Sequence, residues 1–137
     1  MATEILVNDG GAPARILNLG NAGAAIEAGI VVDIDSNGKI QAASDDQTDG
    51  TNKAQAAALG VLLVDAVSGA PTSVITGKGI VCNVQSVAGL TVGEELVVDN
   101  AGKLEHSGNI ETDRIFAIAL DSTFSGTDSG GAATNFT

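Results

Sequence analysis

The sequence predicts an all-β protein, a compact β-barrel or β-sandwich built from two pseudo-repeated β-modules. Three observations support this prediction. The 137 residues include 18 glycines but only two prolines, a balance that favours many tight turns. Hydrophobic residues make up 44% of the chain, with three Phe and no Tyr or Trp, so the core must be aliphatic. The third observation is an internal repeat.

The repeat appears when the sequence is shifted by 64 residues, which places Ile16 on Ile80 and Lys39 on Lys103. Residues 35–39 read Asp-Ser-Asn-Gly-Lys, and residues 99–103 read Asp-Asn-Ala-Gly-Lys. The glycine can adopt a positive φ and the aspartate can cap the turn, so both segments predict a β-hairpin. Residues 59–65 then match residues 115–121 at a shift of 56, which leaves the first copy eight residues longer. The polar stretch 45–52 is assigned as that insertion, a surface loop.

We therefore predict one domain over residues 1–137, with repeats at about 14–69 and 78–126. A module of about 55 residues is marginal alone, whereas two modules can share a core and protect each other's sheet edges. Residues 1–13 lie outside the repeat and are expected to form an extended N-terminal arm. Residues 125–137 are rich in Gly, Ser, Thr and Ala and are expected to form a flexible tail. Phe136 is then either part of a disordered end or an anchor that docks on a neighbouring molecule.

The charge of the chain excludes several partners. With 17 acidic and six basic residues the formal net charge is −11, which repels nucleic-acid phosphates and anionic membranes. No apolar run approaches the roughly 20 residues that span a bilayer. The first residues lack the pattern of a signal peptide, and the single cysteine, Cys82, cannot form an internal disulfide. We expect a soluble protein made in a cytoplasm, with no direct nucleic-acid or membrane partner.

A calcium site is the first chemical possibility. Four residues match the opening of an EF-hand loop, namely Asp33, Asp35, Asn37 and Gly38. The loop should end in a bidentate Glu or Asp, but Ser44 stands at that position. In the second copy Val97 and Ala101 replace two of the ligand candidates. The pattern that recurs is a hairpin turn, so we interpret the segment as a turn and predict no metal.

Catalysis has no support in the sequence. The only histidine is His106, and nothing in the sequence places it next to Cys82, which is expected to be a small buried hydrophobe. One Cys and one His cannot supply zinc spacing, and neither a nucleophile elbow nor a phosphate-binding glycine loop is present. We predict no enzyme activity, no catalytic residues and no cofactor.

Two stretches of the sequence resemble a known family. They are Ala-Gly-x-Val-Val, Gly-Lys-Ile and Ala-Ala-Leu-Gly-Val-Leu-Leu in the first copy, then Val-Gly-Glu-Glu-Leu-Val-Val-Asp-Asn-Ala-Gly-Lys-Leu and Ile-Phe-Ala-Ile-Ala-Leu-Asp in the second. Together they fall in residues 29–122 and resemble the capsid decoration, or head cement, proteins of tailed phages of the lambda type. The motifs are turn glycines and strand patterns, and no active-site residues accompany them.

The resemblance implies a β-protein on the outer capsid surface of a virion, bound to the major capsid protein and stabilising the expanded head. It also implies a homotrimer at local threefold positions. The alternative is a β-module of another virion surface structure, such as a head fibre, spike or minor head protein. In relatives of the lambda type an N-terminal arm adds a strand to the shell. The resemblance implies that the residues at the same place here, which share no fixed motif with those arms, contact the capsid: Thr3, Glu4, Ile5, Leu6, Val7 and Asn8.

Overall fold

The strand content of the chain agrees with the sequence prediction. A computed structural model describes residues 2–8, 15–44, 58–77, 79–108 and 115–137, and within these ranges it contains twelve β-strands and no helix. The prediction of an all-β protein is confirmed. The insertion assigned to residues 45–52 lies outside the described residues.

The strands are short, and glycine-containing turns connect several of them. They are β1 (Leu6–Asn8), β2 (Arg15–Asn21), β3 (Val31–Ile34), β4 (Ile40–Ala42), β5 (Gly60–Leu62), β6 (Pro71–Thr76), β7 (Val81–Cys82), β8 (Glu95–Val98), β9 (Leu104–His106), β10 (Ala117–Ile118), β11 (Phe124–Thr127) and β12 (Ala133–Phe136).

The strands of the first module form one antiparallel sheet of five, in the order β2-β6-β5-β3-β4. Those of the second module are divided among smaller sheets: β10-β8-β9, the pair β1-β7 and the pair β11-β12. The first module therefore has one continuous sheet, whereas the strands of the second module are divided among three separate sheets.

The predicted hairpins are present and their registers match. Ile34 pairs with Ile40 in β3–β4, and Val98 pairs with Leu104 in β8–β9, so both partners shift by 64 residues. In each turn an aspartate side chain accepts backbone N–H bonds, and the glycine has a φ of 75° in Gly38 and 76° in Gly102. Only a glycine adopts such a φ readily, so the shared glycine fixes the shape of both turns.

The third strand of each module follows a shift that differs by one residue from the sequence alignment. Leu59 N–H donates to the Val32 carbonyl, and Phe116 N–H donates to the Leu96 carbonyl, so residue 59 corresponds to residue 116, a shift of 57. The shift of 56 was wrong because both segments are apolar along their length, and either shift places apolar residues on apolar residues. The first copy is therefore longer by seven residues between the hairpin and the third strand (64 − 57).

Both chain ends belong to the fold. In the first module Ala22 N–H donates to the Ala70 carbonyl, at the start of β6. The corresponding donor in the second module is Ser86, and its acceptor is the carbonyl of Asn135 in β12.

Residues 81–84, which include β7, pair with one end of the chain and then with the other. Val84 exchanges backbone hydrogen bonds with Thr137, and the preceding residue, Asn83, donates its N–H to the Ile5 carbonyl. Leu6 then pairs with Cys82. The C-terminal and N-terminal segments thus lie end to end beside β7. Together they take the place that β6 has beside β2 in the first module.

The predictions for both termini were wrong as a consequence. The expected arm, residues 1–13, is not a free extension where it is described, because β1 pairs with β7 and Ile5 is buried. The expected flexible tail, residues 125–137, forms the β11–β12 hairpin, and its turn repeats the Asp-x-x-Gly arrangement. There, Asp128 accepts the N–H of Ala132 and Gly131 has a φ of 88°.

The larger core cluster contains residues of both modules and of both ends. Its buried members are Ile5, Val31, Ala43, Val61, Ile75, Val84, Leu90, Leu96, Val98, Leu104, Ala119 and Phe136. A second cluster lies within the first module and is formed by Ala22, Ile30, Val32, Ile40, Leu62, Ala66 and Val74. Because the larger cluster joins the modules, neither module can lose its partner without exposing aliphatic surface.

Gly60 marks the closest approach of two strands in the first module. A Cβ at this position would collide with the backbone carbonyl of Ile75 in β6. We expect Gly60→Ala to lower the free energy of unfolding by about 1–3 kcal/mol, because a backbone carbonyl cannot yield as a flexible side chain can. Urea unfolding followed by circular dichroism measures the change. Gly108→Ala is the matched control, since no described residue has an atom within 4 Å of its Cβ position. Equal losses in the two variants would contradict the prediction.

Candidate docking site at the open edge of the second module

The residues that matched a calcium loop form a hairpin turn. One carboxylate oxygen of Asp35 accepts the backbone N–H groups of Asn37 and Lys39, each at 2.8 Å. The bond from Lys39 is the main reason that the pKa of Asp35 is lowered. Asp33 lies buried in β3, and that burial raises its pKa. Among the described residues, no group of three His, Cys, Asp or Glu side chains is placed to hold a metal ion.

Cys82 and His106 occupy different strands and have different partners. His106, at the end of β9, places its Nδ1 3.1 Å from Oε2 of Glu94. The pKa of Glu94 is lowered, chiefly because its carboxylate accepts the backbone N–H of Thr91. Cys82 lies in β7, partly buried, and burial raises the pKa of its thiol, which keeps it in the poorly nucleophilic protonated form.

A cleft of about 690 Å³ lies between the two modules. Its lining is mainly apolar and includes residues of β5, β6, β7 and β10, together with Leu96 and Leu104 of the shared core. Cys82 and Val7 also line the cleft. An apolar concavity of this size exceeds the voids that packing normally leaves in a small domain.

One wall of the cleft is an open sheet edge. In the first module β5 pairs with β3 on one side and with β6 on the other. In the second module β10, which corresponds to β5, pairs with β8, and no described strand pairs with its other edge. Near one end of this gap the Thr137 hydroxyl donates to the Asp121 carbonyl at 3.0 Å.

Apolar side chains are exposed to solvent on β10, where no described strand covers the open edge. Val61 in β5 is 5% exposed, whereas Ile118, at the corresponding position in β10, is 58% exposed. Leu120, two residues further along and on the same face, is 67% exposed. Both side chains line the cleft. We call Ile118 and Leu120 the β10 strip.

Two exposed carboxylates lie beside the β10 strip in the described part of the chain. Ile118 pairs across the sheet with Glu95, and Leu120 is followed by Asp121, both exposed. Together with the net charge of −11, these carboxylates give the open edge a negative electrostatic potential.

The predicted capsid-contact residues do not form a free arm in the structure. Thr3 is tied to the body, since its N–H donates to the Thr127 carbonyl and its hydroxyl accepts the Thr127 N–H. Ile5 is buried and Leu6 partly buried, while Glu4 is exposed. Val7 is 54% exposed and lines the cleft, and Asn8 pairs through its backbone with Val81. Only part of this segment is available to a partner.

Phe136, the predicted tail anchor, is not available to a neighbouring molecule in this structure. Its side chain is 1% exposed and lies in the shared core, with its ring stacked on Phe124 at a centroid distance of 6.0 Å. The anchor prediction was wrong because the β12 strand carries Phe136 into the chain's own interior.

Sequence reasoning missed the β10 strip. Residues 115–121 align with residues 59–65, so the alignment predicted equal burial for the two strands. A signal was present, however. Gly60, which the close approach of β6 requires, corresponds to Ala117 in the second copy. Replacement of a tightly packed glycine by a residue with a Cβ indicates that no strand approaches so closely there.

No protein-family model matches the chain, and no curated protein matches its sequence. Within the described residues, no helix is long and apolar enough to cross a membrane.

Proposed function

We propose that this protein is a structural capsid decoration protein, which binds the major capsid protein on the outer surface of a phage head and stabilises the expanded shell. The observation that carries the proposal is the β10 strip, an exposed apolar edge on an otherwise acidic β-protein. Contiguous apolar surface rimmed by polar groups is typical of a protein-docking site.

The remaining features support a docking function. The fold joins two modules through one core, which gives a rigid body for binding. The acidity keeps such a body soluble before it meets its partner. On a capsid lattice many identical weak contacts act together, so each site needs only modest affinity. The likeness of residues 29–122 to the decoration family supplies the partner, and the homotrimer follows from the same likeness.

Purified protein mixed with bare expanded capsids tests the proposal. We expect the protein to co-sediment with the capsids, to saturate, and to raise the temperature at which the shells disrupt. Electron microscopy should show protrusions spread evenly over the head. Protein found only at the tail or a vertex would favour the alternative of a fibre, spike or minor head protein, and an absence of binding would reject the proposal.

A further inference from the structure

We propose that the open edge of β10 binds an extended apolar segment of the capsid partner, which adds to the sheet as an antiparallel strand and carries Lys or Arg beside its apolar residues. The identity of the partner rests on the proposed function, whereas strand addition at β10 rests on the structure of the second module. The first module shows what chemistry covers such an edge.

In the first module the occupant of this edge is β6. Its Val74 and Ile75 pair with Leu62 and Val61, and both of these β5 residues are buried. The corresponding edge of β10 offers the same strand direction and apolar side chains, but no described strand pairs there. In extended conformation, a segment with two consecutive apolar residues would place one opposite Ile118 and the other opposite Ala119, as Ile75 and Val74 lie opposite Val61 and Leu62.

The described part of the N-terminal segment, residues 2–8, does not fill the position. β1 pairs with β7, and Ile5 is held in the shared core. The cleft of about 690 Å³ separates this part of the fold from β10 and is lined by Val7 on one wall and Ile118 on another. This volume corresponds to about five residues of average size, at packing densities typical of protein interiors.

Ala117 limits where the added strand can lie. The Cβ of a residue at the corresponding position, Gly60, would collide with the neighbouring strand. The colliding carbonyl belongs to Ile75, the partner of Val61. The added strand therefore pairs with residues 118–120 but lies further from Ala117 than β6 lies from Gly60.

Charge distinguishes a basic partner from a second copy of this chain. A homodimer through two β10 edges would bring together Glu95 and Asp121 from each copy, on molecules that each carry a net charge of −11. Like charges opposite one another in a sheet destabilise the pairing. A segment with Lys or Arg on both sides of its apolar residues would instead pair with these carboxylates, and it would be steered to them at low salt.

A labelled peptide that carries the β6 sequence between lysines is the direct probe, for example Lys-Lys-Thr-Ser-Val-Ile-Thr-Lys-Lys. We expect fluorescence anisotropy to show saturable binding to the full chain, weaker at high salt. Ile118→Asp and Leu120→Asp should each weaken binding by about tenfold or more, since each removes apolar burial and adds a like charge to the acidic rim. Amide signals of residues 117–120 should shift on binding in nuclear magnetic resonance spectra.

Val92→Asp is the matched control, because Val92 is 63% exposed but does not line the cleft. Its peptide affinity should equal that of the unmodified protein. All three variants change exposed side chains, and thermal melting will confirm that each is folded. The same peptide with glutamates in place of lysines should bind more weakly. The proposal is overturned if the peptide does not bind, or if Ile118→Asp and Leu120→Asp bind it as tightly as the unmodified protein does.

Capsid binding by the same variants separates this inference from the proposed function. Capsid binding that survives Ile118→Asp and Leu120→Asp rejects the β10 site and leaves the decoration function standing. Peptide binding without capsid binding by the unmodified protein rejects the decoration function and supports strand addition for another partner. A dimer in analytical ultracentrifugation that Ile118→Asp dissociates identifies a second copy as the occupant and overturns the proposal.

Discussion

Replacing Phe136 by alanine is expected to lower the free energy of unfolding by about 3–5 kcal/mol. The side chain of this penultimate residue is fully buried, its ring stacks on Phe124, and it closes the shared core from the β12 side. A Cβ at Gly29 would lie 3.3 Å from the ring, so the backbone there packs directly on it. The alanine would leave a cavity bounded by strands that cannot move inward. Urea unfolding measures the loss.

Two controls accompany the Phe136 experiment. Phe136→Leu keeps most of the apolar volume and should lose clearly less stability than the alanine variant. Val92→Ala changes an exposed side chain and should alter the free energy of unfolding by less than about 0.5 kcal/mol. If Phe136→Ala behaved like Val92→Ala, the C-terminal residues would be the flexible tail that composition indicated, and the split strand described above would be wrong.

Composition misled at the C-terminus for a physical reason. Gly, Ser, Thr and Ala are typical of linkers, yet the same residues also form a short strand that packs closely on its neighbours. At Gly126 a Cβ would collide with both Thr3 and Phe136, so small residues there serve close packing and not flexibility. The Asp-x-x-Gly spacing of Asp128 and Gly131 matches the two hairpin turns that the sequence did predict. This third occurrence of the spacing in the sequence could have predicted the β11–β12 hairpin.

The hairpins were predictable because they are local. An aspartate, a glycine with positive φ and flanking β-branched residues determine both the turn and its register over about ten residues. The pairing of the β7 region with both chain ends depends on contacts between distant residues, such as Val84 with Thr137, 53 positions apart, and Asn83 with Ile5, 78 positions apart. No local pattern encodes such a contact. The open edge of β10 was missed for the same reason, since it results from a strand that is divided between the ends of the chain.

The N-terminal segment gives the second large effect. We expect Ile5→Ala to lower the free energy of unfolding by about 2–5 kcal/mol, because the side chain is 6% exposed and belongs to the shared core. Val7→Ala, two residues further along but 54% exposed, should lower the free energy of unfolding far less. Deletion of residues 2–7 should destabilise the protein more than Ile5→Ala, since it also removes the backbone partners of Asn83 and Cys82. Thermal and urea unfolding of the three variants measure the differences.

Restoration in trans distinguishes a structural strand from a free arm. A synthetic peptide of residues 2–8, added to the truncated protein, should raise its melting temperature in a concentration-dependent way, because it binds the folded state and refills the position beside β7. The same peptide with Ile5 replaced by aspartate should not. A truncated protein with unchanged stability and lost capsid binding would instead support the free capsid-binding arm that the decoration family implies. In the structure that outcome is disfavoured, because a segment whose isoleucine closes the core cannot leave for the shell without opening the body that binds it.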